Sequence, residues 1–272
     1  MRLRVPVVVS LASACALAIA AAALAQGQPA STDSTAAGKP ATAESSPAAM
    51  PATPESAQAT KKPAATKLLG KSTAAAPAVD AAVRSIDAQI AKLAVNKKEA
   101  GWRTRLKLPT MAKFDPAKSY YARMGTNKGE MLIKFKPDAA PMHVTSFIYL
   151  ARMGYFDGLK FHRVMKGFMA QGGDPLGNGT GGPGYQFNGE FSPTAKHNAA
   201  GVLSTANAGP GTDGSQFFIM FKAEPRLDGS YSVFGQVEEG LETLKAMEAV
   251  ANPGDGPPVQ PLWITKVTIE VR

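Results

Sequence analysis

Phe161-His162-Arg163-Val164-Met165-Lys166-Gly167-Phe168-Met169-Ala170-Gln171-Gly172-Gly173-Asp174 is the stretch on which the fold turns. It holds two short apolar runs, 161–164 and 168–171, each ended by turn residues. Runs this short suit strands, since a helix needs a longer periodic pattern. Working outward, the same texture recurs. Residues 118–124 place Tyr120, Ala122 and Met124 on one side. Residues 130–136 alternate Met131, Ile133 and Phe135 against Leu132, Lys134 and Lys136. Further runs cover 202–206, 217–220, 233–237 and 263–271. Many short strands punctuated by glycine point to an antiparallel barrel or sandwich. Two helical patterns interrupt them. One starts at Pro141, tolerated in a first turn, with Val144, Phe147, Ile148 and Ala151 on its apolar face and Gly154 at its end. The other covers about 239–250, with Leu241, Leu244 and Met247 inward and Gly254 beyond it. Eight strands, if closed, leave an interior just filled by side chains. Any binding site is then expected on the outer face, with the helices plugging the two ends.

Outside the strand-rich region, 114–272, the chain has three further parts. Residues 1–25 read as an export signal: Arg2 and Arg4, an apolar run from Val5 to Leu24, and a small-x-small cleavage site at Ala23-Leu24-Ala25. The alternative is an uncleaved membrane anchor. The expected location is the periplasm or cell envelope. Residues 26–76 consist largely of Ala, Pro, Ser, Thr, Lys and Gly, without an aromatic, Val or Ile. Such a segment cannot bury enough apolar surface to offset its ordering entropy, and is expected to be a disordered linker. Residues 77–113 are basic and partly helical. Val79, Val83, Ile86, Ile90 and Leu93 fall on one helical face, which packs on its own domain or meets a partner.

The formal charge of +9 is not spread evenly. Residues 1–25 contribute +2, residues 26–113 contribute +7 (13 Lys and Arg against 6 Asp and Glu), and residues 114–272 are neutral. A basic tail on a neutral domain suits weak contact with an acidic envelope surface, not nucleic-acid recognition. The single cysteine, Cys15, lies in the export signal, so the rest of the chain has no disulfide, Cys-ligated zinc site or cysteine nucleophile. His143, His162 and His197 lack metal-ligand spacing, and His162, one residue before Arg163 on a strand, should face away from it. Gly177-x-Gly179-x-x-Gly182 matches a dinucleotide fingerprint in form only, because Pro183 and Gly184 stand where its helix should begin.

Three segments, in order and correctly spaced, resemble the cyclophilin signatures: the opening stretch 161–174; Leu203-Ser204-Thr205-Ala206-Asn207-Ala208-Gly209-Pro210 with Gly214-Ser215-Gln216-Phe217-Phe218-Ile219; and Leu227-Asp228-Gly229 with Val233-Phe234-Gly235. The resemblance covers roughly residue 118 to the C-terminus. It implies a mainly β fold, a closed eight-stranded antiparallel barrel capped by two α-helices, and cofactor-free peptidyl-prolyl cis-trans isomerisation. By that resemblance Arg163 is the catalytic arginine. Phe168, Met169, Phe218 and Leu227 receive the proline ring, while Phe217 belongs to the core. Gln171, Ala206, Asn207, Ala208 and Gln216 contact the substrate backbone and its neighbours, and Gly179 borders the same groove. Tyr231 supplies an aromatic wall where the best-studied eukaryotic members have histidine. Arg226 stands where those members have tryptophan, a loss expected to weaken cyclosporin binding.

The implied chemistry makes and breaks no bond to carbon. Rotation about the X-Pro bond meets a barrier of roughly 18–20 kcal/mol. Twisting ends amide resonance and leaves a lone pair on the prolyl nitrogen. A guanidinium near that nitrogen or the twisting carbonyl favours the twisted state over the planar one, which lowers the barrier. The expected partners are proline-containing peptides and unfolded exported proteins, with the chain a monomer. The alternative function is a proline-binding chaperone or adaptor with little turnover.

Overall fold

The computed structural model describes residues 80–272. The expectations for the export signal, the linker and Val79 lie outside the described residues. Eight strands form one antiparallel sheet: β1 (Tyr120–Thr126), β2 (Gly129–Phe135), β3 (Arg163–Met165), β4 (Met169–Gly172), β5 (Val202–Thr205), β6 (Phe217–Met220), β7 (Val233–Glu239) and β8 (Ile264–Val271), in the order β3-β4-β6-β5-β7-β2-β1-β8. Each coincides with a run expected from the sequence.

The sheet curls but does not close, which corrects the expectation of a closed barrel. β3 and β8 are its edges; the segment before β3 meets the start of β8 through the Lys160–Trp263 bridge and hydrogen bonds such as Phe161 N–H to Leu262 O (3.0 Å) and Ile264 N–H to Leu159 O (2.8 Å), but the two strands do not pair. The reason is local. The outer edge of β3 is occupied by the loop after the last helix: Val164 N–H donates to Gly256 O (2.9 Å), Lys166 N–H to Asn252 O (3.0 Å), and Asn252 N–H to Val164 O (2.8 Å). Edge groups used by a loop are no longer available to a strand.

The two expected helices are α2 (Pro141–Arg152) and α3 (Leu241–Glu248), and a third, α1 (Ala81–Ala91), lies in the basic segment. α2 packs on β7 and β8, and α3 on β2 and β4. Phe147 of α2 stacks on Phe156 at 4.6 Å and meets Phe135, Phe217 and Phe234 at 5.4 to 5.7 Å, filling the concave side of the sheet. α2 stops where Gly154 turns left-handed (φ 69°) and donates to Ala151 O (2.8 Å). Leu244 and Met247 of α3 are buried as expected, but Leu241, at its first position, is 46% exposed and does not point inward. The second helix is also shorter than the pattern suggested, because β7 runs on to Glu239.

α1 is capped by Asp80, which accepts from Ala82 N–H (2.8 Å) and Val83 N–H (3.3 Å) and also holds Lys118 Nζ (2.8 Å). Ala82, Val83 and Ile86 are buried, and α1 packs on α2, where Asp87 meets Arg152. The chain then runs as a strap along the domain. Arg103 donates to Tyr155 O (2.7 Å) and Asp157 O (2.9 Å), Leu106 N–H to Pro183 O (2.8 Å), and Ala112 N–H to Thr145 Oγ1 (3.1 Å). Among the described residues no helix is long and apolar enough to cross a membrane.

Candidate active site

The sheet register builds the site. Arg163 on β3 lies opposite Gln171 on β4, Gln171 opposite Phe218 on β6, and Phe218 opposite Ser204 on β5. Direct cross-strand partners share a face, so these four side chains form one row on the convex side. Phe217, one residue away, faces the inner core. Phe218 belongs instead to a second apolar cluster with Met169, Val202, Ala206, Met220 and Val233, against which Phe168, Leu227 and Tyr231 pack half-buried. The rings of Phe218 and Tyr231 meet edge to face at 5.7 Å.

Hydrogen bonds continue the row on its polar side. Arg163 Nη1 donates to Gln171 Oε1 (3.3 Å), Gln171 Nε2 to Gln216 Oε1 (2.9 Å), and Gln216 Nε2 to the carbonyls of Gly179 (2.9 Å) and Gly181 (2.8 Å). The loop bearing those carbonyls is folded by Asp174, the buried last residue of the opening stretch. Its carboxylate accepts from the N–H groups of Leu176 (2.7 Å), Asn178 (3.0 Å) and Gly179 (2.6 Å). Gly179 adopts φ 89°, a conformation that glycine takes without strain.

A cavity of about 340 Å³ opens beside Arg163, bordered by Gln171, Gly179, Ala206, Asn207, Ala208 and Gln216. The sequence-expected residues thus fall into two adjoining halves. Arg163, Gln171, Gly179, Asn207, Ala208 and Gln216 surround the polar cavity. Phe168, Met169, Phe218, Leu227 and Tyr231 form the apolar patch, and Ala206 borders both. Asn207 Nδ2 donates to Ser230 O (3.1 Å), tying the 206–208 segment to the turn that carries Leu227 and Tyr231. Arg226 is exposed beside Leu227 and pairs with Glu224 (2.7 Å).

His162 does not face away from Arg163 as expected. β3 begins at Arg163, so strand alternation stops short of His162, and both residues border the cavity. Burial, ahead of the opposing Asp174 charge, lowers the His162 pKa. His197 sits behind the apolar patch. It stacks on Phe218 (6.0 Å, 18° between planes), with Nδ1 at 2.8 Å from Asp228 Oδ1 and Nε2 at 2.9 Å from Ser204 Oγ. Burial depresses its pKa despite Asp228. The Ser204 hydroxyl donates its one proton to Ser232 O (3.0 Å), which leaves Ser204 Oγ as an acceptor toward the ring. Sequence reasoning passed over Ser204 and His197 as site supports, and also Asp255, which grips Arg163. The pairing of Ser204 with Phe218 was implicit in alternation along both strands. Asp255 lies in a Gly/Pro loop 92 residues beyond Arg163, with no periodic signal.

Residues 121–269 match the family described as cyclophilin type peptidyl-prolyl cis-trans isomerase/CLD. The peptidyl-prolyl cis-trans isomerase CYP18-1 of Arabidopsis thaliana is 46% identical over 151 residues, covering 54% of this chain and 94% of that protein. Peptidyl-prolyl cis-trans isomerase B of Streptomyces anulatus is 41% identical over 174 residues, covering 57% and 99%. The crystal structure of a Cryptosporidium parvum cyclophilin-type isomerase, determined in the presence of the dipeptide Ala-Pro, is similar at a TM-score of 0.53 and 35% identity, covering 55% of this chain and 98% of that one.

Proposed function

The chain belongs to the cyclophilin-type peptidyl-prolyl cis-trans isomerase family, and on that premise we propose that Arg163 is its catalytic residue and that the groove beside it receives X-Pro segments of exported proteins. The observation that carries the assignment is the continuous row from Arg163 through Gln171 to Phe218, which sets a cation next to an apolar floor. The proline ring rests among Phe168, Met169, Phe218, Leu227 and Tyr231. The preceding peptide group then lies over Gln171 and Arg163, with the substrate chain extended along 206–208. Arg163 N–H groups stabilise the amide as it twists, and each tenfold in rate requires only about 1.4 kcal/mol. The solved relative studied with Ala-Pro supports proline-containing peptides as ligands.

Export to the periplasm or cell envelope rests on the start of the chain: Arg2 and Arg4, the apolar run, and Ala23-Leu24-Ala25. The experiment for the central reading follows X-Pro isomerisation by the full chain and by Arg163→Ala, with peptide binding measured alongside. A loss of at least tenfold in turnover with binding retained is expected. Binding without acceleration by the unmodified chain would instead indicate a proline-recognition module.

A further inference from the structure

We propose that Asp255 is a positioning residue for the isomerisation, fixing the Arg163 guanidinium so that its remaining N–H groups face the substrate groove. The inference rests on the catalytic reading of Arg163. A guanidinium carries five N–H donors in one plane. Nε–H donates to Asp255 Oδ1 (2.5 Å) and Nη2 to Asp255 Oδ2 (2.9 Å), a two-point grip that defines the plane. Nη1 donates to Gln171 Oε1 (3.3 Å). One N–H on Nη1 and one on Nη2 are left over, on a group that borders the cavity.

The carboxylate is held in place by the fold. Its loop is fastened to β3 on both sides of Arg163's neighbour: Val164 N–H donates to Gly256 O, and Asn252 N–H to Val164 O. Within the loop, Asn252 Oδ1 accepts from Gly254 N–H (2.9 Å) and Asn252 Nδ2 donates to Pro257 O (3.0 Å). The loop that prevents the barrel from closing is therefore the one that delivers Asp255. Hydrogen bonding to Arg163 keeps the Asp255 carboxyl below its ordinary value of 3.8, so the carboxylate stays charged above that value. A long arginine side chain free of this grip would spread over several rotamers, and misplacing a catalytic group by about 1 Å costs rate far more than it costs binding.

The test measures kcat and KM separately for the full chain carrying Asp255→Ala, Asp255→Asn, Asp255→Glu, Arg163→Ala and the Arg163→Ala/Asp255→Ala pair, with thermal unfolding as a check on folding. Asp255→Ala and Asp255→Asn are expected to lower kcat about tenfold at nearly unchanged KM, with Asp255→Glu recovering part of the loss. In the Arg163→Ala background, removing Asp255 should change nothing further, because residues that act through one another are not additive. A kcat within twofold of the unmodified chain, or an equal further loss in the Arg163→Ala background, overturns the positioning role. Full activity in Arg163→Ala would overturn the reading of Arg163 itself.

Discussion

His143 is the most consequential side chain outside the site. Its ring is 1% exposed and lies between two carboxylates, with Nδ1 at 2.6 Å from Glu190 Oε2 and Nε2 at 2.8 Å from Asp213 Oδ2. Only an imidazolium donates from both nitrogens. Burial opposes the charge, but the hydrogen bonds to Asp213 and Glu190 outweigh it and raise the His143 pKa above its ordinary 6.5. The Glu190 carboxylate also accepts from the N–H groups of Met142 and His143 (3.0 Å), capping α2 where Ala140 has no side chain to do so. His143→Ala leaves Asp213, 1% exposed, without its charged partner. Removing one member of a buried pair costs roughly 3–5 kcal/mol. Because Glu190 is partly solvated and keeps its backbone donors, about 3 kcal/mol is expected. The pH dependence follows from the shifts. A raised histidine pKa gives stability that is full below 6.5 and lost as pH rises through the folded value. Glu190, held below its ordinary 4.5 by His143 and the backbone donors against the opposing effect of burial, contributes fully above that value and loses its contribution as pH falls through the depressed one. Urea unfolding of the unmodified chain and His143→Ala should show the widest gap between about pH 4.5 and 6.5, narrowing as pH rises through the folded value. A gap that stays constant or widens with rising pH would refute the imidazolium assignment.

Two further substitutions separate groove from frame. Phe218→Ala removes the floor of the apolar patch and should raise KM at least tenfold while costing roughly 3 kcal/mol of stability; steady-state kinetics with an unchanged KM would remove Phe218 from the proline pocket. Gly184 has φ 99°, and a Cβ there would meet the Thr104 carbonyl at 2.7 Å and Leu106 N at 2.8 Å. Gly184→Ala should therefore cost about 2–3 kcal/mol through strain and loss of the Leu106–Pro183 hydrogen bond. Gly177→Ala, with a similar φ of 69° but open space around it, should cost only the strain of about 1–2 kcal/mol. Equal melting temperatures for the two variants would mean that the strap does not press on the cavity loop.

The strands were legible because each is an apolar run bounded by glycine or turn residues, and alternation along 217–220 was enough to send Phe217 inward and Phe218 outward. Closure was not legible. Eight strands permit a closed barrel without requiring one, and what occupies the edge of β3 is a loop whose backbone carbonyls carry no side-chain signal. The reach of β7 to Glu239 and the exposure of Leu241 were missed for a similar reason: Gly240, at φ 89°, sets a sharp boundary that a 3.6-residue pattern reads through.

For the site, the sequence exposes what lies within a strand or a turn and hides what joins distant segments. Arg163 and Gln171 are eight residues apart and pair across one hairpin, so the opening stretch contains both. The partners that hold them come from elsewhere. Gln216 fixes Gln171 from 45 residues away, and Asp255 grips Arg163 from 92. His162 shows the opposite error, in which a local rule was extended one residue past the strand that justified it. These residues sort by physical role. Groups expected to touch substrate stand in short contiguous motifs, because a groove needs several neighbours on one face. Asp255, which holds Arg163, stands in a loop delivered by backbone hydrogen bonds. On that division, loss of Arg163 or Phe218 should register in turnover or binding with the fold intact enough to measure. Loss of Asp255 should register only while Arg163 is present.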